Sequence, residues 1–200
     1  MTAQPHISLT VGEYFRHDQR SQGKLEYFHG TIVSQAGATA RHNTIVTNVI
    51  GYLFPQLRRQ DCHIYPSDLR IQAIDQHVYT YPDLTIVCGQ PHFLEPSELT
   101  LINPTIIMEI LSPSTDAKDR NEKLVYYRSI DSLQEYILID QNTPYVQRYT
   151  RQTAHFRYVH LTDSLEEVIT LDAVGVTLPM EAIYDRIVFH LKHDTDSPAH

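Results

Sequence analysis

A 200-residue chain with a formal net charge of −8 is not a protein that grips nucleic acid through a broad basic surface. Its 42% hydrophobic and 20% charged residues, with no low-complexity tract, describe a globular chain able to bury a core, and exclude a disordered or fibrous one. No apolar run reaches the roughly 18–20 residues that span a bilayer, so no membrane association is expected.

The N-terminal Met1-Thr-Ala-Gln-Pro-His lacks a basic region and an apolar region, so no signal peptide is expected. Thr10-Val-Gly-Glu13 is a capping-box pattern and predicts a short helix to about Phe15. Lys24–Phe28, His29-Gly30 and Thr31–Ser34 read as a β-hairpin with glycine at the turn. Thr39 is the predicted cap of a long helix. Along it Ile45, Val46, Val49, Ile50, Leu53, Phe54 and Leu57 recur at helical spacing, with Pro55 kinking or stopping it near the end.

Short strands are predicted near 62–65, 69–74, 84–87 and 105–111, with a loop from Gln90 to Asn103. Pro113 ends the fourth of these strands, and a helix is predicted from about 117 to 129, with Leu124 and Tyr127 facing inward. Glu135–Ile139 reads as a strand that would pair in parallel with 105–111, and Tyr145–Tyr149 with His155–His160 as a hairpin. One domain is expected over residues 1–190, with a polar, disordered tail at 191–200. Cys62 and Cys88 are far apart and lack metal-ligand spacing, so reduced thiols in a cytoplasmic protein are expected.

Two carboxylates stand out because they sit on apolar runs. Asp83 lies in Tyr81–Val87 and Glu109 in Thr105–Leu111, both of which read as buried strands. Burying an unpaired carboxylate costs several kcal/mol, so such acids usually have a partner or a metal. Hard carboxylate oxygens suit Mg²⁺ or Mn²⁺, and Asp83 and Glu109 are the expected metal ligands. A lysine nearby would stabilise the charge of a phosphodiester transition state. Lys123 is preferred to Lys118 because it shares a helical face with Asp119 and Tyr127. Glu26, mid-strand, is the candidate third acid, and His42, in the first turn of the long helix, could hydrogen-bond a phosphate or water.

The ordered set Leu25-Glu26-Tyr27, Gly30, His42, Tyr81-Pro82-Asp83, Asn103-Pro104, Glu109–Thr115, Asp119-Arg120, Lys123, Tyr127 and Glu135-Tyr136 resembles the Uma-type restriction-endonuclease-like family. That family is a branch of the PD-(D/E)XK nuclease superfamily. The resemblance implies a mixed central sheet flanked by helices, to which the C-terminal third adds a β-hairpin layer. It also implies that Pro82-Asp83 and Glu109-x-Leu111 are the two superfamily motifs. Leu111 stands where that superfamily usually has lysine, and the resemblance implies that Lys123 supplies the cation from the following helix.

Each residue also has a plainer reading. Asp83 could be a turn acid, Glu109 a structural partner of Arg120 or Lys123, and Lys123–Asp119 an exposed helix pair worth tenths of a kcal/mol. Glu26 could be a solvated cross-strand partner, and His42 structural. The histidines show no zinc spacing, Ser112 and Ser114 have no nucleophile elbow, and the tyrosines read as core, not as a base-stacking platform. The expected function is a Mg²⁺-dependent DNA endonuclease, plausible as a homodimer because cutting two strands takes two sites. The rivals are a catalytically silent binding protein of the same fold and a hydrolase of small phosphate esters.

Overall fold

The computed structural model of the chain describes residues 8–74, 77–113, 115–153 and 155–189, so the predicted tail at 191–200 lies outside the described residues. Helix α1 (Val11–Arg20) begins with the predicted box: the Thr10 hydroxyl accepts the Glu13 N–H, and the Glu13 carboxylate accepts the Thr10 N–H. The helix runs past Phe15 to Arg20 through a polar turn that has no apolar period to betray it. Strands β1 (Leu25–Phe28) and β2 (Thr31–Ser34) form the expected hairpin. His29 and Gly30 take φ of 47° and 95°, the two left-handed residues of a tight I′-type turn. A Cβ on Gly30 would fall 1.8 Å from the Ser8 hydroxyl, so glycine is required there by space as well as by φ.

Helix α2 (Ala40–Leu57) is capped by the Thr39 hydroxyl, which accepts the His42 N–H. Pro55 does not stop it; the helix runs two residues further, to Leu57. Strands β3 (Cys62–Pro66), β4 (Arg70–Ala73), β5 (Val78–Thr80), β6 (Leu84–Cys88), β7 (Thr100–Leu101) and β8 (Ile106–Leu111) follow. A π-helical segment (Lys118–Lys123) then passes into α3 (Leu124–Tyr127) where a plain helix was predicted. The rest of the chain is β9 (Glu135–Asp140), β10 (Val146–Gln152), β11 (His155–Thr162), β12 (Val168–Leu171), β13 (Val176–Pro179) and α4 (Met180–Ile183).

The larger sheet has the order β11-β10-β9-β8-β6-β3, and β8 and β9 pair in parallel across the helical crossover, as expected. A second sheet, β2-β1-β5-β4-β7, and the separate β12–β13 hairpin complete the mixed α/β architecture. Alternation on β8 decides which layers meet. Met108 and Ile110 face α2, packing with Ile45, Val49, Leu53, Ile137 and Ile139. Ile107 and Leu111 face the other way, toward Ile71, Val78, Leu101, Tyr127 and Tyr136. Beneath α1 a third cluster joins Tyr14, Tyr27 and Tyr79, with ring centroids 5.1 to 6.2 Å apart. The tyrosines are thus largely core, as read from the sequence.

The reading of the cysteines needs correction. Cys62 and Cys88 are bonded to each other, because the antiparallel register of β3 and β6 sets them directly opposite with Cα atoms 4.1 Å apart. Sequence spacing cannot show a cross-strand pairing, and the cysteines no longer support a reducing compartment. Among the described residues, no helix is long and apolar enough to cross a membrane.

The layered core makes a simple stability test. Leu53 is fully buried, whereas the adjacent Phe54 is 52% exposed. Leu53→Ala should cost about 2–5 kcal/mol in urea unfolding, and Phe54→Ala about 0.5 kcal/mol or less.

Candidate functional site

The register of β6 against β8 pairs Leu84 with Met108, so the preceding residue, Asp83, meets Glu109. Asp83 lies at the entry to β6, not within it, where its backbone is free to bond sideways. Its N–H donates to Glu109 Oε2 at 3.3 Å, and its Oδ2 accepts the Ile110 N–H at 2.8 Å. His42, brought in by the first turn of α2, sets Nε2 3.1 Å from the same Asp83 oxygen. The Thr39 hydroxyl that caps His42 donates in turn to Gln141 Oε1. His42 Nδ1 is buried and finds no hydrogen-bond partner among the described residues.

Glu109 shares the β8 face of Ile107 and Leu111 and so meets the helical crossover. Lys123 Nζ lies 2.9 Å from Glu109 Oε1, 3.0 Å from Asp119 Oδ1 and 3.4 Å from Glu26 Oε1. The Tyr127 hydroxyl also donates to Glu109 Oε1, at 3.0 Å, and is steadied by Thr80. Glu26 accepts a second ammonium, Lys118 Nζ at 2.8 Å, on its other oxygen. All four acids and Lys123 are buried, Lys123 to 4% exposure. Arg120 takes no part; it pairs with Asp116 and Gln147.

Three carboxylates, Glu26, Glu109 and Asp119, share two ammonium groups in a nearly dry place, with Asp83 beside them, and the electrostatics follow. Burial pushes the Glu109 pKa up to about 8, against the pull of Lys123 and with the push of Asp119 and Asp83. Burial likewise raises Asp119. For Glu26 burial acts upward too, but Lys123 and Lys118 outweigh it and hold the carboxyl below the usual range. Burial alone would lower the Lys123 pKa, yet the surrounding acids, Glu109 first among them, raise it well above normal. These directions agree: the acids hold the lysine in its charged form, and burial favours the protonated form of Glu109 and Asp119.

The cluster opens on a cleft of about 540 Å³ lined by His42, Asp83, Glu109, Asp119 and Lys123. Loop residues Gln35–Thr39 and Ser112-Pro113 form its walls. Asp83 and Glu109 are the residues that could hold a metal. Mg²⁺ takes one or two carboxylates and keeps several waters, so two hard-oxygen donors facing a roomy cleft fit that ion. No group of three or more His, Cys, Asp and Glu is arranged to hold a metal among the described residues, so a closed zinc-type cage is not formed there.

A family model described as "Uma2: Putative restriction endonuclease" matches residues 11–181. The chain belongs to the Uma2 family. It is 35% identical over 143 residues to an uncharacterized protein of Synechocystis, covering 72% of this chain and 81% of that one. A second uncharacterized Synechocystis protein is 28% identical over 185 residues, 92% of this chain and 96% of the other. The fold is also that of a crystal structure described as "a putative nuclease belonging to DUF820" from Anabaena variabilis, with a TM-score of 0.68. The two share 19% identity over 88% of this chain and 97% of that one.

In this Uma2 chain the six residues singled out from the sequence are brought together. Glu109, Lys123, Asp119 and Glu26 make one ion cluster, and His42 and Asp83 adjoin it through Glu109. Lys118, set aside in favour of Lys123, belongs to the same network. The available signal was its position one π-turn before Lys123, which no apolar period marks.

Metal-free pH titration tests this charge balance. A carboxyl whose folded pKa lies above its unfolded value binds more protons when folded. Glu109 therefore makes stability fall as pH rises from its ordinary 4.5 toward 8. Urea unfolding of Glu109→Gln across that window should show a flatter profile than wild type. Lys123→Met should lose about 3–5 kcal/mol at neutral pH and recover part of it as pH falls, because protonation relieves the abandoned acids.

Proposed function

We propose that this Uma2 protein is a Mg²⁺- or Mn²⁺-dependent endonuclease that hydrolyses phosphodiester bonds of DNA. The observation that carries this reading is that Asp83 and Glu109 lie side by side, with the Asp83 N–H donating to Glu109 Oε2 at 3.3 Å, beside the Lys123 ammonium in one cleft. Membership in a family described as putative restriction endonucleases supports it. Asp83 and Glu109 would hold the ion, which supplies a Lewis acid and an acidified water. Ile110 N–H donates to the Asp83 carboxylate, and His42 Nε2 lies 3.1 Å from the same oxygen. Tyr127 and Lys123 fix Glu109 and leave its other oxygen toward Asp83. Lys123 provides the positive charge at the phosphate, and Glu26 with Asp119 orients it from behind.

A second reading, a silent nuclease-fold binding protein, draws on the same lysine: its ammonium already has three carboxylates. Cleavage decides between them. Purified protein with millimolar Mg²⁺ or Mn²⁺ should nick plasmid DNA, and Asp83→Asn or Glu109→Gln should lower the rate by at least about a hundredfold. Metal should raise the Tm of wild type and leave that of Asp83→Asn unchanged. Absence of cleavage together with a metal-independent Tm would refute the enzyme reading.

A further inference from the structure

The hairpin whose base lines the cleft carries a second feature at its turn. Phe28 ends β1 on the same face as Glu26, two residues away, and the Lys118 ammonium sits 3.9 Å from its ring centroid while binding Glu26. Tyr126 lies 5.7 Å from Phe28, His29 lies 5.6 Å from Tyr126, and His77 stacks on His29 at 6.0 Å with planes 19° apart. The two histidines are exposed, and Phe28, Tyr126 and Lys118 are half-buried. The β1–β2 turn, the β5 entry and α3 thus join in one aromatic surface edged by a cation. His29 holds φ of 47°, a conformation uncommon for histidine, and its N–H donates to His77 O at 2.9 Å, so the pair of turns is fixed.

We propose that this surface binds an unpaired nucleotide of a DNA strand, its base on the Tyr126 ring, beside which His29 stands at 60°, and its phosphate on Lys118. The proposal rests on the nuclease reading above and names its substrate: single-stranded or locally opened DNA. A ring face can be stacked only by a base that has left the duplex, and stacking tolerates any sequence. It also suits an acidic chain, which gains little from counterion release on a regular duplex. Glu122 is the acid facing Tyr126, and Glu26 the one facing Lys118.

Position supports the link to the cleft. Lys118 and Lys123 hold the two oxygens of one carboxylate, so the platform's cation and the cleft's cation are a single carboxylate apart. From Leu25, beside the cleft-lining Lys24, to His29 is roughly 13 Å of strand, which a short stretch of extended polynucleotide can cover.

The test is fluorescence anisotropy with a labelled thymidine oligonucleotide and a blunt duplex of equal length, in chelator so that no cleavage intervenes. Wild type should bind the single strand more tightly than the duplex. Tyr126→Ala should weaken it about tenfold and Tyr126→Phe should keep it. His29→Asn, which retains the left-handed turn, should weaken it similarly. Lys118→Gln should lower the slope of log affinity against log salt by about 0.7. Circular dichroism melts confirm the fold of each variant. Equal or tighter duplex binding, or undiminished single-strand binding by Tyr126→Ala, would overturn the inference. Metal-dependent cleavage alongside that result leaves the nuclease reading standing. Tyr126-dependent binding without cleavage under any divalent metal keeps the platform and rejects the nuclease.

Discussion

The site depends on one buried ammonium. Lys123 Nζ is within 3.4 Å of carboxylates from three elements: Glu26 on β1, Glu109 on β8 and Asp119 on its own π turn. Bringing charges into so dry a place is costly, and the cost is recovered only when geometry is good and remaining polar atoms are bonded. Here the Tyr127 hydroxyl donates to Glu109 and the Tyr81 N–H to Glu26, and Thr80 holds the Tyr127 hydroxyl in place. The smaller sheet is therefore latched to the larger one by charge as well as by the apolar packing between them. Removing the lysine would leave acids of both sheets facing each other with one counter-ion fewer.

This latch also sets a cation beside Glu109 although position 111 carries no lysine. Leu111 follows Glu109 on the same face of β8, and it is 1% exposed, packed with Tyr127, Tyr136 and Leu138. A lysine there would have to compete with that packing. Lys123 comes instead from the π-helical crossover and reaches Glu109 Oε1 at 2.9 Å.

Much of this was legible in the sequence wherever a local rule applied. The Thr10 box, the Thr39 cap, the His29-Gly30 turn and the β8–helix–β9 crossover each follow from a few neighbouring residues. Elements too short to show a period were not legible: β5 and β7 span Val78–Thr80 and Thr100–Leu101, and both owe their existence to neighbouring strands. The β12–β13 hairpin likewise has an alternation spanning only Val168–Leu171 and Val176–Pro179. The Cys62–Cys88 bond and the Lys118–Glu26 pair are non-local facts, fixed by register and by layering. In the candidate site, Asp119 and Tyr127 could be read around Lys123 from helical spacing, but nothing local says that Glu26, on a distant hairpin, completes its shell.

The π turn is the least expected element and the one with the clearest consequence. In an α-helix, positions five apart diverge by about 140° beyond a full turn, so Lys118 and Lys123 would point to different neighbours. A π turn closes on i→i+5 bonds and brings positions five apart onto adjoining rows. Both lysines consequently reach Glu26, one on each oxygen, while Asp119 still pairs with Lys123 across i,i+4. The same widening separates their tasks. Lys123 is turned into the acid cluster and buried, whereas the Lys118 side chain keeps 25% exposure and rests over the Phe28 ring. A regular helix could have supplied one cation to the acids; the π segment gives the hairpin carboxylate two, and leaves the second at the edge of the aromatic surface.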